Sequence, residues 1–218
     1  MEEAFSLLLA TPIALMGAGR TDAGVHARLM VAHFDTEIDF DPLLLKDRLN
    51  AFLPEDISID QIVAVTQDTH ARFTATSRTY EYWVVNTKDP FKINAAHYVF
   101  QPLDIAAMNQ AAALLLGEKD FECFSKSNSD VHTYICDITH AKWVEKEGQF
   151  IFTISANRFL RNMVRAVVGT LLEIGTGKRA VSDIPLVLAA KSRSKAGPSV
   201  PAKGLYLTKI HYPDHIYV

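Results

Sequence analysis

The chain has 218 residues, 49% hydrophobic and 22% charged, with a formal net charge of −3. That is enough apolar material for one large or two small domains, and it excludes a disordered chain. Two cysteines without CxxC spacing, an acidic opening unlike a signal peptide and no apolar run of transmembrane length exclude a disulfide scaffold, structural zinc and a membrane span, so a cytoplasmic protein is expected.

In chain order, residues 2–10 predict a short helix, with Ala4, Leu7 and Leu8 at helical spacing. Strands are expected near 13–17 and 29–35. Residues 41–53 predict a helix, with Asp41 as N-cap and Pro42 at its first position. The alternating 57–65 and the aromatic, β-branched 78–86 predict strands. The turn-rich segment 86–97, with Pro90 inside it, is the expected boundary between two lobes, 1–90 and 91–218. In the second lobe, 103–117 predicts a helix stopped at Gly117. Residues 131–143 and 149–156 predict paired strands. Residues 157–177 and 182–192 predict helices, and 204–213 a closing strand. The expected fold is α+β: two lobes of mainly antiparallel sheet with helices packed on one face and a cleft between the lobes.

The glycine-rich stretch GAGRTDAGVHA (17–27) poses the functional question. A dinucleotide fingerprint needs a third glycine where Asp22 stands, and a helix where the residues predict a strand. A phosphate loop needs GK[ST], which is absent. The glycines instead leave Arg20, Asp22 and His26 as the prominent side chains of a turn.

Charge is distributed unevenly. Residues 1–60 hold four Lys/Arg against eleven Asp/Glu, whereas 158–203 hold nine against two. On a helical wheel of 157–177, Arg158, Arg161, Asn162, Arg165 and Gly169 share one face and the apolar residues the other. That face predicts a surface for phosphates.

Four segments, GAGRTDAGVHA, RFTATSRTYEY (72–82), NRFLRNMVRAVVG (157–169) and RSKAGPSVPAKGLYL (193–207), resemble in order and spacing the tRNA pseudouridine synthase A family. The resemblance covers nearly the whole chain. It implies a cofactor-free homodimer that isomerises uridine to pseudouridine at tRNA positions 38, 39 and 40. It also implies a role for each matching residue. Asp22 is the catalytic aspartate, Arg165 its partner, and Tyr80 the ring that stacks on the target base. Arg20 enters the stem as the base leaves, and Leu205 lines the pocket. His26, Arg158 and Arg161 are expected to contact RNA. Members of the family open with a strand and a YDGT-like turn before the first helix, and this chain begins within that helix, so an incomplete first lobe is expected.

The chemistry agrees with these roles. The reaction breaks N1–C1′, turns the base and joins C5 to C1′. Nothing is oxidised and no water is consumed, so neither metal nor cofactor is expected. An ionised carboxylate must attack C1′ or C6, and a nearby arginine favours the charged form. A stacked base must first be flipped out. Two alternatives stand beside the enzyme. One is an inactive relative that binds and helps fold tRNA. The other is a metal-dependent hydrolase, which lacks an HExxH motif here.

Overall fold

The computed structural model describes residues 1–126 and 131–218. The chain forms two compact units. The first comprises residues 1–20, 30–76 and 212–218, and the second 21–29 and 77–211. The chain therefore passes into the second unit at Thr76/Ser77, and the 86–97 connection lies inside it. Among the described residues no helix is long and apolar enough to cross a membrane.

The first unit packs two helices, α1 (Glu2–Leu9) and α2 (Pro42–Phe52), beside a small antiparallel pair, β1 (Met16–Gly17) and β3 (Ala32–His33). Asp41 caps α2 as its position predicts: its Oδ1 accepts from the N–H of Leu43 at 2.8 Å and of Leu44 at 3.2 Å. The buried stripe of α1 is Ala4, Phe5 and Leu9, while Leu7 is 63% exposed, so the expected face is rotated.

The strand predicted over 57–65 does not form; only Val65 makes an isolated bridge, to Tyr217. A side chain does the pairing instead. The Asn50 amide accepts from Ile59 N–H at 2.6 Å and donates to Ile59 C=O at 2.9 Å. An amide offers a donor and an acceptor side by side, as a neighbouring strand would. Ile59 and Ile62 pack on the helices, which satisfies the alternation without a ladder.

The second unit is built on a mixed sheet of seven strands. Its main order is β2 (His26–Ala27), β9 (Leu205–His211), β4 (Ser77–Val85), β8 (Gln149–Ala156), β7 (Ile135–Lys146) and β6 (Gly117–Asp120). A seventh strand, β5 (His97–Tyr98), pairs parallel with the end of β4. β2 and β9 also run parallel; the other pairs are antiparallel. β7 and β8 are joined by a tight turn, with Glu147 at φ 52° and Gly148 at φ 72°. Positive φ at both positions matches the twist of the flanking strands.

One face of this sheet carries the core. Along β8, Phe150, Phe152, Ile154 and Ala156 are buried, while Ile151, Thr153 and Ser155 are half-buried. Helices α3 (Ile105–Ala113), α4 (Met163–Gly175) and α5 (Asp183–Ala190) supply Met108, Ala111, Met163, Val167, Leu171 and Ile184 to the same cluster. Asn109 of α3 repeats the Asn50 device. Its amide accepts from Trp143 N–H at 2.8 Å and donates to Trp143 C=O at 3.0 Å, tying α3 to β7.

The sequence wheel of 157–177 needs correction. The helix begins only at Met163, because Asn162 has φ 67° and cannot continue an α-helical turn backwards. Upstream, the Asn157 side chain accepts from Asp137 N–H and Arg158 N–H at 2.9 and 2.7 Å, and 157–160 lie outside any helix or strand, with a bend at Asn157. Arg158, Arg161 and Asn162 therefore precede the helix. Within it, only Arg165 and Glu173 escape full burial. Gly169, placed on the polar face by the wheel, lies buried under Pro198: a Cβ there would meet the Pro198 carbonyl oxygen at 1.7 Å. What covers this face is the strap 196–200.

Candidate active site

The loop that holds Asp22 is a turn. Val25 N–H donates to Asp22 C=O at 3.1 Å, and Gly24 lies between them at φ 81°. A side-chain-bearing residue rarely adopts that backbone, which accounts for glycine at this position. The chain then enters β2, which pairs with β9 at Tyr206 and Leu207, and Arg28 N–H adds a bond to Leu207 C=O at 2.8 Å. Asp22 is thus anchored a few residues from a sheet edge.

Arg165, two residues into α4, reaches Asp22 across 143 positions of sequence. Its Nη1 donates to Asp22 Oδ2 at 2.9 Å, and its Nε donates to Val200 C=O at 2.7 Å. The Arg165 and Asp22 side chains remain 21% and 29% exposed, so the pair is open to a substrate. It borders a cavity of about 500 Å³ lined by Asp22, Lys126, Arg161, Asn162, Arg165, Arg193 and Ser199. Among the described residues, four cations thus line the cavity with one carboxylate, a charge pattern suited to a polyanion.

Tyr80 stands on β4 at a bulge. Thr79 pairs with Lys209 and Tyr80 with Leu207, which leaves Thr208 as the extra residue. Its Oγ1 donates to Thr79 C=O at 3.2 Å. Bulges re-aim side chains, and this one sits at the residue proposed to meet the base. The Tyr80 ring packs edge-on against Phe159, with centroids 5.2 Å apart. Burial pushes its phenol above the ordinary value; Arg78 opposes this and the nearby Asp22 carboxylate adds to it. The Tyr80 hydroxyl is therefore neutral at physiological pH.

The remaining predicted residues divide. Arg161 lines the cavity. Leu205 is 6% exposed within the core, opposite Tyr82. His26 stacks on Tyr206 at 4.6 Å and its Nε2 contacts Asn94 C=O at 3.0 Å. Arg158 is half-buried near Cys136 and lies outside the cavity lining. Arg20 is exposed and belongs to the first unit. The sequence reading misses Lys126, Arg193 and Ser199 as cavity residues; the RSKAGPSV segment, which contains two of them, is the signal that points to them.

The basic stretch 158–203 also proves less available than its composition suggests. Arg165 is committed to Asp22 and Val200. Arg179 pairs with Glu173, Lys191 with Asp120 at 2.6 Å, and Lys203 donates to Ile93 C=O at 2.6 Å. Arg193 bonds Gly197 and Ser199. Five of the nine cations thus hold partners within the chain, and net charge over a segment does not distinguish these from free groups. His211 and His215 stand four apart in the sequence, but Pro213 interrupts any helical turn between them. Among the described residues, no three His, Cys, Asp or Glu side chains assemble as a metal site.

Residues 111–213 match the family model described as tRNA pseudouridine synthase. The chain is 49% identical over 218 residues to the tRNA pseudouridine synthase A of Parabacteroides distasonis, covering 100% of this chain and 86% of that protein. It is 49% identical to that of Bacteroides thetaiotaomicron, with 99% and 81% covered. It is 47% identical to that of Porphyromonas gingivalis, with 100% and 88% covered. The chain belongs to the tRNA pseudouridine synthase A family.

Proposed function

We propose that the protein isomerises uridine to pseudouridine in the anticodon stem-loop of tRNA, at positions 38, 39 and 40, with Asp22 as the attacking carboxylate. The observation that carries this reading is the Asp22–Arg165 pair, 2.9 Å apart at the rim of a cation-lined cavity. Family membership supplies the substrate class.

In this mechanism the target uridine leaves the stack and enters the cavity. Arg20, two residues before Asp22, takes the vacated place in the stem. Tyr80 holds the free base by ring stacking, since stacking tolerates rotation of the base in its own plane. Asp22 attacks C1′ or C6 as the N1–C1′ bond breaks. The base turns, C5 joins C1′, and the C5 proton departs. The raised, neutral phenol of Tyr80 holds its own proton too tightly to accept that one, so its part in the step is the stacking of its ring. Arg165 keeps the carboxylate aimed, because its second bond, to Val200, fixes the guanidinium plane. Arg161 and Lys126 face phosphates beside the target nucleotide. The protein acts in the cytoplasm as a homodimer, as its relatives' resemblance implies.

Tritium release from tRNA labelled at uridine C5 tests the reading, with Asp22→Ala alongside. Release by the wild type and none by the variant is expected, since release requires the new C–C bond. Release by Asp22→Ala removes Asp22 as nucleophile. A wild type that binds tRNA without releasing tritium establishes a binding module instead.

A further inference from the structure

The strap 196–200 does more than cover α4. Its backbone touches the helix backbone: a Cβ on Gly197 would lie 2.8 Å from Thr170 Cα and 2.9 Å from the Gly169 carbonyl carbon. Thr170 Oγ1 accepts from Gly197 N–H at 2.8 Å while donating to Ala166 C=O at 2.9 Å. Val200 N–H donates to Arg165 C=O at 3.2 Å, and Val200 C=O receives Arg165 Nε at 2.7 Å. Arg165 is therefore gripped at its main chain and its guanidinium by one residue of the strap.

Arg193 holds that strap from its start. Its Nη1 donates to Gly197 C=O at 2.9 Å and its Nη2 to Ser199 Oγ at 2.9 Å. Ser199 Oγ also accepts from Asn162 Nδ2 at 2.7 Å, and Asn162 is the left-handed residue that starts α4. The guanidinium thus spans both sides of Pro198. A planar fork suits two acceptors at fixed separation; an ammonium satisfies either one but does not fix the geometry of both.

We propose that Arg193 is a positioning residue of the isomerisation: by clamping Gly197 and Ser199 it sets the strap whose Val200 carbonyl holds the Arg165 guanidinium on Asp22. This rests on the reading of Asp22 and Arg165 as the reacting pair. Arg193 also faces the cavity, so its competing role is a direct contact to an RNA phosphate, and the two roles predict different measurements. A positioning residue acts on the chemical step. A phosphate contact acts on binding and on its salt dependence, with a slope of roughly 0.7 to 0.9 per contact.

The experiment is single-turnover tritium release with saturating enzyme, alongside tRNA binding across a salt series, for wild type, Arg193→Lys, Arg193→Ala and Ser199→Ala. Thermal melting confirms that each variant is folded. Expected is a loss of about tenfold or more in the single-turnover rate for Arg193→Lys, as for other small misplacements of reacting groups. tRNA affinity should stay within about twofold and the salt slope should not change. Added guanidinium ion should restore part of the rate of Arg193→Ala. Ser199→Ala, which removes one arm of the clamp with little change in volume, should lose rate in the same direction. If the arginine variants do not fold, Ser199→Ala decides: an undiminished rate overturns the clamp. A wild-type rate in Arg193→Lys also overturns it. So does weakened binding with a reduced salt slope and an unchanged single-turnover rate, which makes Arg193 a phosphate contact. A wild type without turnover instead refutes the assigned reaction.

Discussion

Gly169 and Pro198 meet backbone to backbone. A Cβ on Gly169 would fall 1.7 Å from the Pro198 carbonyl oxygen and 2.9 Å from its carbon. Neither atom belongs to a flexible side chain, so an added methyl must lift the strap or shift α4. Gly169→Ala is therefore expected to destabilise the fold by about 1–3 kcal/mol, the usual range for overpacking. Lifting the strap also takes Val200 away from Arg165, so turnover should fall at least about tenfold in protein that remains folded. Urea denaturation and tritium release check the two effects separately. An unchanged denaturation midpoint contradicts the close packing.

Tyr80 gives a prediction in pH. Burial is the main cause that raises its phenol above 10.0; Arg78 pulls it down and Asp22 pushes it up. A folded-state value above the unfolded one means the stabilisation is fully present below about pH 10 and is lost as pH rises through the folded value. Tyr80→Phe should therefore leave the shape of the pH–rate profile unchanged between about pH 6 and 9. Above about pH 10 the wild type should lose stability faster than the variant. A basic limb in the lower window that disappears in Tyr80→Phe identifies the phenolate as the C5 proton acceptor and refutes the assignment made here.

The two cysteines provide a probe of the core. Burial pushes the Cys123 thiol up to about 12 and the Cys136 thiol up to about 11. Both side chains are fully buried. Since the thiolate is the reactive form, an aromatic disulfide reagent at about pH 8 should label neither in the native protein and both in urea. Slow native labelling that tracks unfolding measures opening of the sheet–helix core. Fast labelling of either thiol shows that β7 or the turn at Cys123 is not packed as described.

Much of the fold was legible locally. Asp41-Pro42 announced α2, and the alternation of β8 and the aromatic run of β4 predicted strands that form within a residue or two of the expected bounds. Other elements were not legible. Residues 57–65 alternate as a strand does, yet Asn50 satisfies the backbone of Ile59 and no partner strand is needed. The four-residue β6 begins at Gly117, where the sequence predicts the end of a helix that stops already at Ala113, and it carries no periodicity of its own; pairing with β7 makes it a strand. Arg161 and Asn162 fit a helical wheel, but an asparagine in the left-handed region starts the helix after them.

The sequence by itself determined the family and the chemical groups: an aspartate on a glycine-shaped turn, an arginine in MVR, and a tyrosine in a strand. These are short-range patterns, carried by backbone sterics and residue type. The resemblance also pointed to Arg165 as the partner of Asp22; which cations are consumed inside the fold, and what fixes the guanidinium, were decided by tertiary structure alone. Asp22 and Arg165 are 143 residues apart, and Arg165 owes its aim to Val200, 35 residues further on. Hydrogen bonds of that range depend on how helix and strap pack against each other, and neither propensity nor local charge encodes that packing.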